Sequence, residues 1–454
     1  MRENKSPWLH NFKYEREVKF LTGSHFTDVC IIGGGIAGAA TAFMLLKHTD
    51  KKVCIVEGDL VAHGATGHNA GYVEAEFEKP FREIVKEYGL NVAREGKREL
   101  DEAWGTLEYL QEVLGLPPTQ KTKTVKAFAD VQYFKDALQE EYLKYGKVEK
   151  EIYVSGESDW KEEIEAHYLE HIKFVSEDDI KKMMGSGNKK LDKYKAVLVD
   201  EMVVGNSALL AEELVKYCAK NYPNRFEVFE KSFVNSIRLL QNGNAILDSP
   251  SGVCVTQKVV LCTNGFENFD IYGPLGSQID KEFHMEVSGL IGYMMATFTK
   301  SESSQDGGGK FYDSNLKYAK NPYDAGNYIY YTTRKFNYDI HGGELISIGG
   351  PEVKLHDRRI YKRDHEFDEK IYHELEDFQK EVFNIQDNSH FKWHGLMGYT
   401  KSGIRIVGQD KRFLDLYYNL GCNGIGFLPS IAGAKRIAQL LAGKKFGPSI
   451  FDPR

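Results

Sequence analysis

The sequence has 454 residues, enough for two large domains or three smaller ones. Hydrophobic residues make up 42% and charged residues 28%, as in an ordinary globular protein with a sizeable core. The 59 Lys and Arg residues are outnumbered by 66 Asp and Glu residues, so the net charge is −7, and no run of basic residues stands out. Binding nucleic acid or another polyanion is therefore excluded as the main function.

The cysteines, the histidines and the apolar segments bear on metal binding and on the compartment. The six cysteines form no CxxC pair and mostly lie in apolar runs, which argues against a disulfide framework or a Cys-rich zinc site. The histidines show no metal-binding spacing, so no metal is predicted. No stretch reaches the roughly 18–20 apolar residues of a transmembrane helix, and the polar lead-in, residues 1–26, has no apolar signal core. We therefore expect a cytoplasmic protein without a transmembrane segment.

The first predicted elements after the lead-in form a βαβ unit. Residues 28–32 and 52–56 are two short apolar runs, and the first of them ends at glycines. Between them, residues 36–47 are rich in Ala, Leu and Met, which favours a helix. Two strands joined by one helix through short connections predict a parallel sheet.

The rest of the chain alternates helical and strand patterns. Residues 79–115 carry apolar residues at helical spacing, whereas the Lys- and Glu-rich residues 121–195 predict a solvated, inserted α+β segment. Strand patterns then cover 196–204, 226–240, 244–262, 287–298, 326–350 and 404–419. Helical patterns cover 363–384 and 430–442, and the Gly-rich residues 301–310 predict a mobile loop.

The strongest motif is GGGIAG at 33–38, which satisfies GxGxxG between a strand and a helix. Gly33 allows the tight turn, Gly35 leaves room for a pyrophosphate, and Gly38 lets the helix pack against the strand. The free N–H groups of the helix N-terminus would bind the phosphates. Glu57 ends the second strand 19 residues after Gly38, where its carboxylate can accept ribose hydroxyls and would repel a 2′-phosphate. FAD or NAD is therefore favoured over NADP.

The motif alone does not separate FAD from NAD, but three further features favour FAD. Only one such motif is present, it is followed soon by the glycine-rich GATGHNAG at 64–71, and a third glycine-rich turn, GCNGIG at 421–426, precedes the last helix. A flavin must be held along its full length. Its reduced ring carries negative charge, which the N-terminus of a helix after Gly424 and Gly426 would stabilise.

In this order and spacing, several blocks resemble the FAD-dependent oxidoreductases of the D-amino-acid oxidase superfamily, which includes glycine oxidase, sarcosine oxidase and γ-glutamylputrescine oxidoreductase. The similar segments are SPWL in the lead-in, TDVCIIGGGIAGAATAFMLLK, VCIVEGDLVAHGATGHNAG, SFVNSI, VVLCTNGF, LISIGGPE and HGLMGYTKSGIRIVG. The resemblance implies an α/β fold with a Rossmann-type FAD-binding domain (27–105, 196–265 and 395–454). It also implies a discontinuous substrate domain (106–195 and 266–394) on a mainly antiparallel sheet.

The same resemblance implies which residues hold FAD, without a covalent bond. With Gly33, Gly35 and Gly38, they are Ile36, Ala37, Glu57, Gly58, Ala65, Thr66, Gly67, His68, Asn69, Ala70, Gly71, Val234, Thr263, Asn264, Gly265, Met397, Asn423, Gly424, Ile425 and Gly426. The backbone around Val234 corresponds to the segment that holds the adenine.

The chain departs from the family at one informative position, Met397 in GLMG. Glycine oxidase has an arginine there that binds the substrate carboxylate. Its loss argues against a simple α-amino acid as substrate, because a buried carboxylate without a cation is costly. Sarcosine oxidase attaches its flavin through a cysteine at the matching position, so a covalent bond by that route is not expected here.

Four side chains are candidates for the catalytic pocket. His68 lies in the segment expected beside the flavin, and Tyr331 and Arg334 lie on the strand YIYYTTRKF, expected to face it. Arg334 would replace the missing carboxylate clamp, and His394 precedes the GLMG turn. The alternatives are a structural hydrogen bond for His68, a surface ion pair for Arg334 and a buried, satisfied imidazole for His394. Cys422 is expected to be a packing residue.

The resemblance implies oxidation of a C–N bond of a small amine or amino acid by hydride transfer to flavin N5, with hydrolysis of the imine product. One rival is an FAD-dependent dehydrogenase of a hydroxyl carbon, of the 2-hydroxyacid or glycerol-phosphate type, although no cluster of cations for a phosphate is evident. Another is a flavin-bearing RNA-modification or partner-binding module, although the acidic net charge argues against RNA. A third is a flavin-binding protein without turnover of its own. The sequence leaves the electron acceptor, oxygen or another, and the oligomeric state open.

Overall fold

Two β-sheets with helices packed around them make up the molecule, as the α/β pattern predicts. The structure is a computed structural model. It describes residues 4–10, 12, 15–117, 121–185, 191–266, 268–279, 287–300, 307–323, 326–338, 341–356, 361–362, 368–386 and 389–453.

The strands in chain order are β1 (Gly23–Ile32), β2 (Val53–Val56), β3 (Tyr72–Val73), β4 (Lys121–Phe128), β5 (Glu151–Ser155), β6 (Ile172–Val175), β7 (Ala196–Val204), β8 (Phe226–Phe229), β9 (Ser236–Leu239), β10 (Ala245–Ser249), β11 (Gly252–Leu261), β12 (Asp270–Tyr272), β13 (Val287–Thr299), β14 (Gly307–Tyr312), β15 (Tyr328–Tyr338), β16 (His341–Lys354), β17 (Phe391–Thr400), β18 (Ile406–Gln409) and β19 (Leu416–Leu420).

The helices are α1 (Pro7–His10), α2 (Ile36–His48), α3 (Phe81–Tyr88), α4 (Leu90–Asp101), α5 (Ala103–Leu114), α6 (Val131–Tyr145), α7 (Trp160–Glu163), α8 (Ala166–Leu169), α9 (Glu177–Met183), α10 (Ser207–Asn221), α11 (Glu369–Phe383) and α12 (Phe427–Leu441), with a 3-10 turn at Ala65–Gly67. Within the described ranges, no helix combines the length and the apolar character needed to cross a membrane.

The first sheet contains the predicted βαβ unit. Its centre is parallel in the order β8-β2-β1-β11-β19, with β18 antiparallel at one edge. Strands β9, β10 and β11 form an antiparallel meander that β12 extends. Strand β2 is buried along its whole length, and α2 is buried from Ile36 to Leu46, because a parallel sheet is covered on both faces. The packing places the N-terminus of α2 at the carboxyl ends of β1 and β2.

The second sheet has the order β17-β13-β16-β15-β14-β4-β7-β5-β6, with β3 also paired to β7. Its pairs are antiparallel except for β4–β14 and β5–β6, which confirms the mainly antiparallel sheet. Helix α11 packs on one face of this sheet through Ile371, Tyr372 and Leu375. The opposite face is thereby left for the first sheet and the glycine-rich segments.

The predicted domain limits differ from the sheet pairing at four strands. Strands β3 and β7 and most of β17 were assigned by sequence to the FAD-binding domain, but all three pair in the second sheet. Strand β12, assigned to the substrate domain, extends the first sheet. Strand pairing depends on hydrogen bonds between segments that are distant in the sequence, so a local sequence pattern does not predict the pairing partner.

The predicted loop at 301–310 lies partly outside the described residues, and its last four residues begin β14 instead. This strand pairs with both β4 and β15. A Cβ at Gly308 would lie 2.5 Å from the sulfur of Met202. One at Gly309 would lie 2.7 Å from the ring of Tyr331. These glycines therefore allow close packing within a strand rather than marking a loop.

Candidate functional site

One cavity of about 530 Å³ is lined by residues of both sheets and by all three glycine-rich segments. The predicted cofactor residues that line it are Gly33, Gly35, Ile36, Ala37, Glu57, Gly58, Ala65, Thr66, His68, Asn69, Ala70, Val234, Thr263, Asn264, Met397, Gly424, Ile425 and Gly426. Five others lie behind the lining: Gly38, Gly67, Gly71, Gly265 and Asn423. A long ligand can therefore extend from the first glycine turn to the last within one cavity.

The first glycine turn is bare where it meets the cavity because side chains do not fit there. Gly33 has φ +105°, and a Cβ on it would lie 2.6 Å from the carbonyl oxygen of Cys262. A Cβ on Gly38 would overlap the carbonyl oxygen of Gly33. The N–H of Ile36 donates to the Thr66 hydroxyl at 2.9 Å, so the 64–71 segment helps to hold the helix N-terminus.

Glu57 directly follows β2, at the rim of the same turn. Its carboxylate accepts the N–H of Gly34 at 2.6 Å and the N–H of Asp59 at 2.8 Å. Burial raises the pKa of Glu57, while these two hydrogen bonds lower it. The carboxylate is thus held beside the turn in an orientation fixed by the backbone.

The polar lead-in holds the second glycine-rich segment in place. The Ser6 hydroxyl donates to the carbonyl oxygen of Gly67. The Trp8 indole N–H donates to the carbonyl oxygen of Asn69 at 2.6 Å, and the Trp8 ring packs so closely on Gly71 that a Cβ there would overlap it. Gly67 and Gly71 therefore support the segment from behind rather than lining the cavity.

The third glycine turn is joined to the TNG turn that follows β11. The N–H of Cys422 donates to the Asn264 side chain at 2.8 Å. The side chain of Asn423 accepts the N–H of Thr400 at 2.7 Å, so this side chain anchors the turn to β17. Gly424 has φ +82° and faces the cavity. Helix α12 begins three residues later, and its N-terminus points toward the cavity rim.

The two candidate histidines have structural hydrogen bonds, which was the alternative interpretation for each. His68 lines the cavity, with Nδ1 3.0 Å from the carbonyl oxygen of Gly64 and Nε2 3.3 Å from that of Asn4. His394 is fully buried outside the lining. Its Nδ1 lies 3.1 Å from the hydroxyl of Tyr361.

The expectation that Tyr331 and Arg334 face the cofactor is corrected by the alternation of β15. Side chains at Tyr328 and Tyr330 line the cavity, so Tyr331 points to the opposite face and packs in the apolar cluster under α11. Arg334 shares the orientation of Tyr330 but lies beyond the cavity, with its guanidinium carbon 3.5 Å from the centre of the Trp8 ring. It is not a carboxylate clamp in this cavity.

One wall of the cavity, which the sequence analysis missed, is acidic and aromatic. Its residues in the lining are Tyr72, Glu74, Glu78, Tyr328, Tyr330 and Glu352. The Tyr399 hydroxyl donates to Glu352 and lies 2.9 and 2.8 Å from its two carboxylate oxygens. Loss of contact with water raises the pKa of Glu352 to about 8, and the nearby Glu78 carboxylate contributes in the same direction.

Glu78 is 8% exposed and belongs to the segment between β3 and α3. It accepts a hydrogen bond from the Tyr328 hydroxyl at 2.9 Å and another from the Asn321 amide. Burial raises the pKa of Glu78 as well. Glu352 follows the GG pair of a segment that carried the family resemblance, which was a usable signal; Glu78 has no comparable one.

Among the described residues of the lining, two side chains have a permanent positive charge, and each has a partner. The Lys310 ammonium lies 2.9 Å from the Glu74 carboxylate. The Arg405 guanidinium donates to the side chain and the backbone of Asn419, at 2.7 and 2.9 Å. Burial lowers the pKa of Arg405 to about 10. The charge of Lys310 is therefore balanced by Glu74, whereas Asn419 is neutral and leaves the charge of Arg405 in the cavity wall.

Three cysteines meet away from this cavity. Cys30 on β1, Cys54 on β2 and Cys254 on β11 are buried, with their sulfur atoms within 4.8 Å of one another. They come from strands that are distant in the sequence, so spacing could not show the cluster. The prediction of no metal site rested on spacing and stays a prediction.

The family model described as DAO, FAD dependent oxidoreductase, matches residues 28–440 of the chain. The chain belongs to this family. It is therefore an FAD-dependent oxidoreductase, and FAD is its cofactor. The cavity fits that cofactor, because Gly33 and Gly35 leave the backbone bare at the N-terminus of α2, where a pyrophosphate can be bound by N–H groups.

Curated relatives match a short part of the chain. The putative Rieske 2Fe-2S iron-sulfur protein YhfW of Bacillus subtilis is 40% identical over 67 residues, which are 15% of this chain and 13% of that protein. The γ-glutamylputrescine oxidoreductase of Escherichia coli is 33% identical over 67 residues, 15% of this chain and 16% of that protein. These matches thus span less than a fifth of the relatives' length.

Solved structures match the fold over most of the chain. Glycine oxidase from Geobacillus kaustophilus superposes with a TM-score of 0.64 at 16% identity, over 94% of this chain and 98% of that one. L-α-glycerophosphate oxidase from Mycoplasma pneumoniae gives a TM-score of 0.60 at 13% identity, over 92% and 96%. At these identities the likeness shows a shared fold.

Proposed function

We propose that this protein oxidises a C–N bond of a small amine, with FAD as the electron acceptor in the cavity. The observation that carries the proposal is the acidic and aromatic wall around Glu78 and Glu352. Amines are cations in water at neutral pH, and carboxylates and the faces of tyrosine rings both attract ammonium groups. The chain is similar to glycine oxidase and to γ-glutamylputrescine oxidoreductase. Both are named for substrates that contain nitrogen, which supports the same reaction class.

The proposed placement of FAD follows the three glycine-rich segments. The pyrophosphate would meet the N-terminus of α2, the adenine the backbone near Val234, and the flavin the turn at Gly424. When bound, FAD supplies the acceptor for the two electrons and the hydrogen that leave the substrate carbon. Met397 offers no thiolate for a covalent link, so we expect the cofactor to be released intact on denaturation.

The acidic wall also argues against the rival substrates. A glycerol phosphate or a 2-hydroxyacid brings negative charge, which the carboxylates would repel. Of the two cations of the lining, Lys310 is paired with the Glu74 carboxylate, and Arg405 is held by hydrogen bonds to Asn419. Met397 itself offers no charge to the carboxylate of an α-amino acid. The net charge of −7 counts against an RNA substrate.

Anaerobic reduction of the bound flavin tests the proposal. The purified protein would be mixed with primary amines, N-methyl amines, amino acids of both hands, 2-hydroxyacids and glycerol phosphate, while the visible flavin absorbance is recorded. We expect amines without a carboxylate to bleach the flavin fastest. Bleaching by hydroxyacids or glycerol phosphate, with every amine inert, would contradict the proposed reaction.

A further inference from the structure

We propose that Glu78 and Glu352 form the ammonium-binding subsite of the cavity, and that Glu352 accepts the proton that the substrate ammonium must lose. The inference rests on the proposed function and deepens it, because it names the substrate class. The ligand is an aliphatic ammonium ion whose reacting carbon carries no carboxylate.

Glu352 is positioned by the strand that bears it and by the next one across. On β16 it pairs in register with Gly292 of β13, which has no side chain to cover it. A Cβ at Gly292 would lie 2.7 Å from the methyl group of Met397. The Tyr399 hydroxyl holds both carboxylate oxygens from β17. The carboxylate therefore stands beside the uncharged side chain of Met397.

Glu78 lies near Glu352 at the third glycine-rich turn, residues 421–426. A Cβ at Gly424 would lie 2.6 Å from the Tyr399 hydroxyl and 3.3 Å from Cγ of Glu78. Glu78 and Tyr399, the hydrogen-bond partner of Glu352, therefore both lie next to Gly424. A ligand group at this turn meets both carboxylates, while the Arg405 guanidinium is held by Asn419 and by the carbonyl oxygen of Gly421.

The chemistry requires a proton acceptor at this point. An ammonium nitrogen has no free electron pair, so its C–H bond cannot be oxidised until one N–H proton leaves. Ionised Glu352 can take that proton: the N–H bond breaks, an O–H bond forms, and the nitrogen keeps the electron pair. The neutral amine is then ready to give up two electrons and a hydrogen to FAD, the oxidant named by the family.

The ionisation of Glu352 is governed by the groups that face it. Burial and Glu78 raise its pKa to about 8, and the hydrogen bond from Tyr399 lowers it. The other titratable or charged groups around it are Tyr323, Tyr328 and Tyr330, the Lys310–Glu74 pair and Cys422. Since the pKa in the folded protein lies above the ordinary carboxyl value, Glu352 is largely protonated at pH 7 and ionised above pH 8.

Binding of an inert cation tests the subsite without turnover. Tetramethylammonium has no N–H proton and no free electron pair, so it should bind without reducing the flavin and should change the flavin absorption spectrum. We expect its Kd to fall as pH rises through about 8 in the wild type. Above pH 8, where Glu352 is ionised, Glu352→Gln and Glu78→Gln should each weaken binding roughly tenfold or more, and Glu352→Gln should remove the pH dependence. Tert-butyl alcohol, a neutral molecule of similar shape, and acetate should not bind.

The pH profile of amine oxidation tests proton acceptance. We expect kcat/KM in the wild type to rise through an apparent pKa near 8, and Glu352→Gln to lower it by about 10²–10⁴-fold and remove that limb. Glu352→Asp should recover part of the rate. Tyr399→Phe should move the limb to higher pH, because the lost hydrogen bond stabilised the carboxylate. Glu344→Gln, on the same strand but lining a different pocket, is the matched control and should change neither readout.

The possible failures are distinguishable. In the first case, amines reduce the flavin, but folded, FAD-containing Glu352→Gln, Glu352→Asp and Glu78→Gln have the wild-type Kd for tetramethylammonium and the wild-type pH profile. The proposed subsite is then wrong, while the proposed function stands. If no amine reduces the flavin, the proposed function is wrong, and cation binding that depends on both carboxylates would still support the subsite.

Discussion

Gly35→Asp is expected to abolish FAD binding while leaving the fold intact. Gly35 is the N-cap of α2 with φ −75° and no side-chain cap, so its backbone accepts any residue, and Asp is a preferred N-cap. The new Cβ would lie 2.9 Å from the Thr66 hydroxyl, which must shift slightly and weaken its hydrogen bond from the N–H of Ile36. The added carboxylate, however, would stand where the pyrophosphate approaches, and like charges in contact cost several kcal/mol. Affinity for FAD should therefore fall about 100-fold or more.

The measurement is the flavin content of the purified variant and its affinity for added FAD. Gly35→Ala separates size from charge and should lose only part of the affinity. Gly105→Asp is the matched control, because Gly105 lies exposed on α5 with open space around its Cβ position. Circular dichroism and thermal unfolding without FAD should be alike for Gly35→Asp and the wild-type apoprotein. Stoichiometric flavin with unchanged affinity in Gly35→Asp would show that the pyrophosphate lies elsewhere.

Arg16→Met is expected to cause a large loss of stability, measured as the free energy of unfolding. Arg16, in the lead-in, donates to Glu212 of α10 at 2.8 and 3.0 Å and also pairs with Glu230 after β8. Both carboxylates are fully buried, and Glu230 also accepts the N–H of Val61 at 2.6 Å. Removing the cation leaves two buried negative charges close together, which should lower the free energy of unfolding by about 3–5 kcal/mol.

Urea unfolding of the holoprotein would measure this loss, with the m-value checked for constancy. The pair of Arg98 and Glu95 is the matched control, because its side chains are 68% and 57% exposed, and Arg98→Met should cost less than about 1 kcal/mol. Burial already raises the pKa of Glu212, and loss of Arg16 raises it further. A carboxyl with a raised pKa in the folded state loses stability as pH rises, so the deficit should be smaller at acidic pH than at neutral pH. An equal loss in the two variants would show that Arg16 acts no differently from a surface charge.

The cofactor half of the site was predictable because its signals are local. The βαβ unit and the GxGxxG turn are set by contacts between residues about 30 apart or fewer, so their glycines can be assigned to roles from the sequence. The segments at 64–71 and 421–426 were recognised by their glycines, and the structure brings both into the cavity with the first turn. Met397 was also predicted to lie at the site, and it lines the same cavity.

Prediction of the substrate half of the site depended on which face of the sheet each side chain occupies and on which strands pair. Alternation along β15 was expected, but only the packing under α11 decides that Tyr330 faces the cavity and Tyr331 does not. Glu78 and Glu352 come from a connecting segment and a strand end far apart in the chain, and they meet because the two sheets close on the Gly424 turn. Each glycine-rich segment of the coenzyme site can be recognised from its own residues, although the segments are far apart in the chain. The carboxylates that we propose to select the substrate are brought together by long-range packing, which no local pattern encodes.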